Sequence, residues 1–159
     1  MSFERRPSAR LVLICGLPGA GKTTLARRRE AEIPATRLSP DEWMVGLGVG
    51  LWDDEFRGRL EAKMWTLAQD LLAQGQCVVL DYGYWTRSER DEKRLFARSL
   101  GVKVELHYLE ASIEELEHRL EKRNLSVEWR DSPITREHLE TWSRTFEPPG
   151  PEELSLFDL

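Results

Sequence analysis

Cysteine is scarce in this chain: Cys15 and Cys77 are the only two among 159 residues. Two thiols cannot build a disulfide framework, and these two lack metal-type spacing. Each lies in or beside a short apolar run, where a small hydrophobe packs well. A reducing, cytoplasmic setting is the expectation. The three histidines, His107, His118 and His138, have no metal-ligand spacing either, and none is expected to be catalytic. Long apolar runs are missing. No segment approaches the roughly 20 residues of a membrane span, and Met1 to Arg10 is polar and basic, unlike a signal peptide. An excess of positive charge is missing too. The formal net charge is −5, so long-range electrostatics disfavour a polyanion such as bulk DNA or RNA, although a local basic site on an acidic body stays open. Internal repeats and low-complexity segments are absent.

What is present fits residues 1–159 forming one compact domain around a single core. Leu11-Val12-Leu13-Ile14-Cys15 is a continuous apolar run ending in glycine, the pattern of a strand buried on both faces of a parallel sheet. Lys22 to Glu32 reads as the helix after it, and Ala35 to Leu38 as a weaker strand stopped by Ser39-Pro40. Asp53 caps a long helix to about Gln74, with Leu60, Met64, Leu67, Leu71 and Leu72 on one face and Gly75 closing its end. Cys77 to Leu80 is the next buried strand, ending at Asp81. Thr86 with Glu89 and Ser112 with Glu115 have capping-box spacing, opening helices to about Leu100 and Arg123. Val102 to Leu109 alternates like a strand, and Thr135 begins a helix to about Thr145. Phe146 to Pro151 is loop, and Glu152 to Leu159 is expected to hold a short strand. Strands alternating with helices imply a three-layer α/β fold around a mostly parallel sheet, with ligands at the carboxyl ends of the strands.

Gly16-Leu17-Pro18-Gly19-Ala20-Gly21-Lys22-Thr23 matches G-x-x-x-x-G-K-[ST] without departure, between a strand and a helix as the motif requires. The glycines let backbone N–H groups wrap phosphate oxygens, and the helix N-terminus adds partial positive charge. Lys22 then reaches the β- and γ-phosphates, the Thr23 hydroxyl ligates Mg²⁺, and Thr24 is placed to donate to the α-phosphate. Asp81 closes its strand where a Walker-B-type acid holds Mg²⁺, directly or through water; the plainer reading is a polar residue at a strand exit. Asp41 follows a strand end, where it either caps a turn or faces the phosphates. Arg87 and Arg90 stand at a helix start, against the helix dipole. That placement points to anion contact, or else to pairing with Glu89, Asp91 or Glu92. Trp85 and its loop, Tyr82-Gly83-Tyr84-Trp85, lie at the ligand edge and either shape an acceptor pocket or pack in the core.

These motifs, with Leu38-Ser39-Pro40-Asp41-Glu42-Trp43-Met44, Val79 to Asp91 and Arg119-Leu120-Glu121-Lys122-Arg123-Asn124, resemble the P-loop kinases grouped with polynucleotide 5′-hydroxyl kinases, chloramphenicol phosphotransferase and zeta toxins. The chain is most similar to the small stand-alone ATP-binding proteins of the AAA_33 family. The resemblance implies a P-loop NTPase fold of the nucleoside/nucleotide-kinase type with a small helical lid at about 115–133. It implies ATP rather than GTP, Mg²⁺, and a catalytic base at Asp41. It makes Arg119 and Arg123, four residues apart on one helix face, lid arginines that neutralise the transferring phosphoryl group. Phe146 to Pro149 is the segment proposed for adenine.

The expected function is an ATP-dependent kinase acting on a hydroxyl of a small molecule. Lys22, Asp41, Arg119 and Arg123 are its catalytic groups, and Asp41, Trp85, Arg87 and Arg90 contact the acceptor. The rival readings are a polynucleotide 5′-hydroxyl kinase, which the acidic chain disfavours, and a non-catalytic nucleotide switch that needs Lys22 but not Asp41. No membrane partner is expected, and the chain is read as a monomer or homodimer.

Overall fold

The computed structural model describes residues 9–82 and 85–158. Its strands are β1 (Arg10–Cys15), β2 (Ala35–Leu38), β3 (Cys77–Asp81) and β4 (Lys103–Tyr108). They form one sheet in the order β2-β3-β1-β4, every pairing parallel. Leu11 pairs with Val78 on one side and Val104 on the other, so β1 is central. Its apolar run is continuous because both of its faces are covered. Val12 and Ile14 cluster with Val79 and with Ala26 of α1 (Lys22–Glu32). Leu11, Leu13 and Cys15 face the other way, as the period-2 alternation of a strand requires. There they meet Met64, Trp65, Ala68 and Leu72 of α3 (Asp54–Ala73) and Ala97 of α4 (Arg87–Ser99).

The local signals act as their chemistry dictates. The Asp53 carboxylate accepts from the Phe56 N–H at 3.0 Å, and Gly75 takes φ 82° just past α3. Thr86 and Glu89 form a complete capping box for α4. Ser112 accepts from the Glu115 N–H to start α5 (Ile113–Asn124). Thr135 starts α6 (Arg136–Thr145), with His138 closing the box through Nδ1. Among the described residues no helix is long and apolar enough to cross a membrane.

One helix lies where no element was expected, and two expectations are corrected. Pro40 to Gly46 is a helix, α2, and Asp41 lies in its first turn. Ser39 at the N-cap and proline at N1 followed by two acids form a helix-start signature. Residues 152–158 are not a strand, and Leu159 lies outside the described residues. Pro151–Leu154 is a helical turn, α7, because a proline with preset φ begins a helix and cannot join a ladder. Chain beyond it still runs beside β4, where the Asp158 N–H donates to the Val104 carbonyl at 2.7 Å and the Val104 N–H donates to the Asp158 carboxylate at 2.8 Å. On α3, Leu67 is exposed, and Trp65 and Ala68 complete the buried face instead.

Arg90 is the largest fully buried side chain. Its Nε donates to Glu153 Oε1 at 2.6 Å, Nη2 to Glu153 Oε2 at 3.0 Å and Nη1 to the Trp85 carbonyl at 2.9 Å. This bidentate pair ties α7 to α4. Breaking such a buried pair on one side leaves an uncompensated charge, which costs about 3–5 kcal/mol. Arg90→Met is therefore expected to destabilise the chain by about that amount in urea unfolding, and Arg90→Met with Glu153→Met to recover much of the loss.

Candidate functional site

The loop after β1 is shaped by close packing. A Cβ on Gly16 would lie 2.9 Å from the Leu109 carbonyl oxygen, and one on Gly19 3.1 Å from Leu120 Cγ. Gly21, the residue preceding α1, takes φ 96°, a left-handed geometry suited to glycine. Leu17 and Ala20 of the loop join Leu116 and Leu120 of α5 in the core. Helix α5 is thus seated on the loop, and its arginines arrive there. Arg119 Nη1 donates to the Gly19 carbonyl at 3.3 Å.

Lys22 at the start of α1 donates to the Leu17 carbonyl at 3.0 Å. Burial pushes its ammonium down to about 8. The nearby Asp81 and Asp41 carboxylates oppose that shift, and Arg123 adds to it. Asp81 ends β3 and is buried. Burial raises its carboxyl, while Lys22, Arg37 and a hydrogen bond from Thr23 pull it back. Its Oδ2 lies 3.5 Å from Arg37 Nη1, yet neither atom has a hydrogen-bond partner. A buried carboxylate oxygen without a hydrogen-bond partner, beside a threonine hydroxyl, suits a hard cation with oxygen ligands. Thr23 and Asp81 are the residues that would hold Mg²⁺. Among the described residues no group of three or more His, Cys, Asp or Glu is placed to hold a metal ion.

Asp41 is held between two arginines. Arg57 Nη1 donates to its Oδ1 at 2.6 Å, and Arg123 Nη2 approaches Oδ2 at 3.5 Å. Arg57 is itself fixed by donating to the Leu51 carbonyl at 2.9 Å, and the Arg123 guanidinium lies 3.7 Å from the centre of the Trp129 ring. One cavity of about 1150 Å³ is lined by Lys22, Thr23, Thr24, Asp41, Asp81, Arg119 and Arg123 together.

Other expected site residues lie elsewhere. Arg90 is spent on Glu153 in the core, and Arg87 donates to Asp91 at 3.0 Å; neither lines the cavity. The dipole mismatch at the start of α4 is resolved by protein carboxylates, Glu147 among them, which accepts from the Arg87 N–H. Trp85 does line the cavity, as a buried floor whose indole N–H donates to the Ile14 carbonyl at 3.1 Å. It stacks on Tyr82 at 4.9 Å, and Gly83 and Tyr84 of the same loop lie outside the described residues. Phe146, from the segment expected near adenine, is buried against Tyr108. Arg57, Glu61 and Lys93 line the cavity without having been singled out from the sequence. Arg57 and Lys93 sit in charged helical stretches that read as solvated faces. Gly58 was a usable signal, since glycine inside a long helix is locally unfavourable.

The parallel sheet, the glycine loop after its central strand and the lysine beneath that loop define a P-loop protein of the kinase-like type. The chain belongs to the AAA_33 family, whose model, described as an AAA domain, matches residues 11–149. A search of curated proteins finds no match. Among solved structures, Kti12 of Chaetomium thermophilum in complex with ADP-AlF3 superposes with a TM-score of 0.69 at 20% identity, covering 89% of this chain and 82% of that one. A gluconokinase from Sinorhizobium meliloti 1021 gives 0.59 at 22% identity, covering 94% and 80%. A structure from the PezAT toxin-antitoxin system of Streptococcus pneumoniae gives 0.67 at 19% identity, covering 95% and 66%. At these identities the likeness is one of fold.

The lowered Lys22 has a consequence for binding. Phosphates above the ammonium favour its charged form and raise its pKa in the complex. Nucleotide binding is then expected to take up a proton from about pH 8 up to the complex's higher pKa, with affinity falling as pH rises through that window and flat below it. Calorimetric titration with ATP at pH 9, in buffers of different ionisation enthalpy, measures the uptake directly. Equal heats in all buffers would contradict it.

Proposed function

We propose that this chain is an ATP-dependent kinase that transfers the γ-phosphoryl group to a hydroxyl of a small molecule. The observation that carries the reading is the convergence of Lys22, Asp41, Asp81, Arg119 and Arg123 on one cavity. In this reading residues 1–159 act as a single kinase-like domain, with about 115–133 as the lid. An acceptor hydroxyl seated at Asp41 attacks the γ-phosphorus, the bond to the β,γ-bridging oxygen breaks, and the hydroxyl proton passes to the Asp41 carboxylate. Lys22, Arg119 and Arg123 neutralise the charge spread over the transferring group. Thr23 and Asp81 would hold Mg²⁺, which would supply further neutralisation of the phosphate charge. Arg57 orients the Asp41 carboxylate through its 2.6 Å bond. The acidic chain supports a small acceptor over a polynucleotide.

A second reading has one observation in its favour. Both Asp41 oxygens are approached by arginines, which suits a nucleotide-dependent switch whose acid is structural.

Label transfer from γ-labelled ATP with Mg²⁺ to nucleosides, 5′-hydroxyl oligonucleotides, amino sugars, aryl alcohols and polyols separates the readings. Transfer to one acceptor class is expected, with Asp41→Asn and Lys22→Ala each lowering it by at least about 10²-fold. Tight ATP binding by folded protein with no transfer to any class would favour the switch. Arg57→Met is expected to lower kcat by about tenfold or more while leaving the ATP KM within about threefold. An unchanged kcat would remove Arg57 from the mechanism.

A further inference from the structure

The cavity runs past Asp41 into a recess between α3 and α4 that phosphate binding does not use. One face of α3 lines it with Arg57, Gly58, Glu61, Ala62 and Trp65. From Arg57 to Trp65 the helix rises about 12 Å, comparable to one monosaccharide with room for its substituents. Nothing would lie within 4 Å of a Cβ on Gly58. Tyr82 and Trp85 form the floor, and α4 contributes Glu89, Glu92 and Lys93.

Lys93 is the unusual member. It is only 8% exposed, with its ammonium 5.0 Å from the Trp65 ring centre and 5.4 Å from that of Trp85. Among the described residues its one hydrogen-bond partner is Glu92, at 3.5 Å. An ammonium has three donors, and leaving donors unmet inside a protein is costly. Glu61 faces the same space. Burial raises its carboxyl, Arg57 and Lys93 pull it back, and Glu89 and Asp41 push it up. The recess therefore presents one cation with unmet donors among several carboxylates.

We propose that this recess is the acceptor subsite, that it takes a neutral polyhydroxylated molecule (a sugar or polyol), and that Lys93 determines that specificity. The choice follows from the lining. An anionic acceptor would meet Glu61, Glu89 and Glu92. A cationic one would meet Lys93, which already occupies the aromatic faces where a ligand cation would sit. A hydroxyl can accept from Lys93 and donate to Glu61 at once. The row along α3 then leaves another hydroxyl of the same molecule at Asp41.

The subsite rests on the kinase reading for its role, but its occupancy is measurable without transfer. Trp65 and Trp85 are reporters in its wall. Intrinsic fluorescence titrations, with and without Mg-ATP, would use D-glucose, D-ribose, D-glucitol and myo-inositol as neutral probes, against D-gluconate and D-glucosamine. Label transfer is followed in parallel. Saturable binding of at least one neutral probe is expected, at least about tenfold tighter than the acid and the amine. Lys93→Met should weaken it at least about tenfold and leave ATP affinity within about twofold. Gly58→Leu, which fills the recess and favours the helix, should do the same with no loss of folding. Binding without transfer would keep the subsite and remove the kinase reading. Transfer to some other acceptor, unaffected by Lys93→Met, would keep the kinase and overturn the subsite. Tightest binding to gluconate or glucosamine, or no binding of any neutral probe, would also overturn it.

Discussion

The site depends on how tightly the glycine loop is held from two sides. Gly16 lies against the Leu109 carbonyl and Gly19 against Leu120, with no room for a Cβ at the first and little at the second. That packing seats α5 directly on the loop through Leu116 and Leu120. A helix fixed there delivers the arginines that flank those leucines to the loop and to Asp41 without a separate anchor. Arg119 reaches the loop backbone and Arg123 reaches Asp41. The two leucines and two arginines interleave at i, i+3, i+4 and i+7, so the face of the helix that packs on the loop also carries the site arginines.

Around the loop, charges are arranged in short alternating chains. Arg57, Asp41 and Arg123 form one, capped by the Trp129 ring. Lys22, Asp81 and Arg37 form another, in which Asp81 Oδ2 and Arg37 Nη1 sit 3.5 Å apart without a hydrogen bond. Geometry this loose at buried atoms is costly by itself and is the kind of violation that accumulates at binding sites. The Arg90–Glu153 pair is the opposite case. It is close, bidentate and fully used, and it joins two helices away from the cavity. Two arginines three residues apart on α4 looked alike in sequence. Burial and partners separate them from the cavity, which Arg57 lines instead.

The P-loop was legible because its chemistry is local. Glycine spacing, a preceding apolar run and a following helix lie within about two dozen residues, and each follows from short-range sterics. The caps at Asp53, Thr86, Ser112 and Thr135 were legible for the same reason, since a side chain bonding its own helix needs no distant partner. Two short elements were not legible in this way. The turns of α2 and α7 carried proline start signals, but each is too short for a periodic pattern to show.

By itself, then, the sequence determined the strand-loop-helix that cradles phosphate, the parallel α/β layering, and the acids that end up beside that cradle. Those features are set by backbone conformation and by periodicity along one segment. Tertiary structure alone decided which charged residues share the cavity. Lys93 is enclosed by Trp65 and Trp85, Arg57 is aimed at Asp41, and Arg90 is buried on Glu153, 63 positions away along the chain. Charged side chains on neighbouring helices look equivalent until packing sets their dielectric surroundings and their partners, and both are properties of contacts between segments distant in sequence.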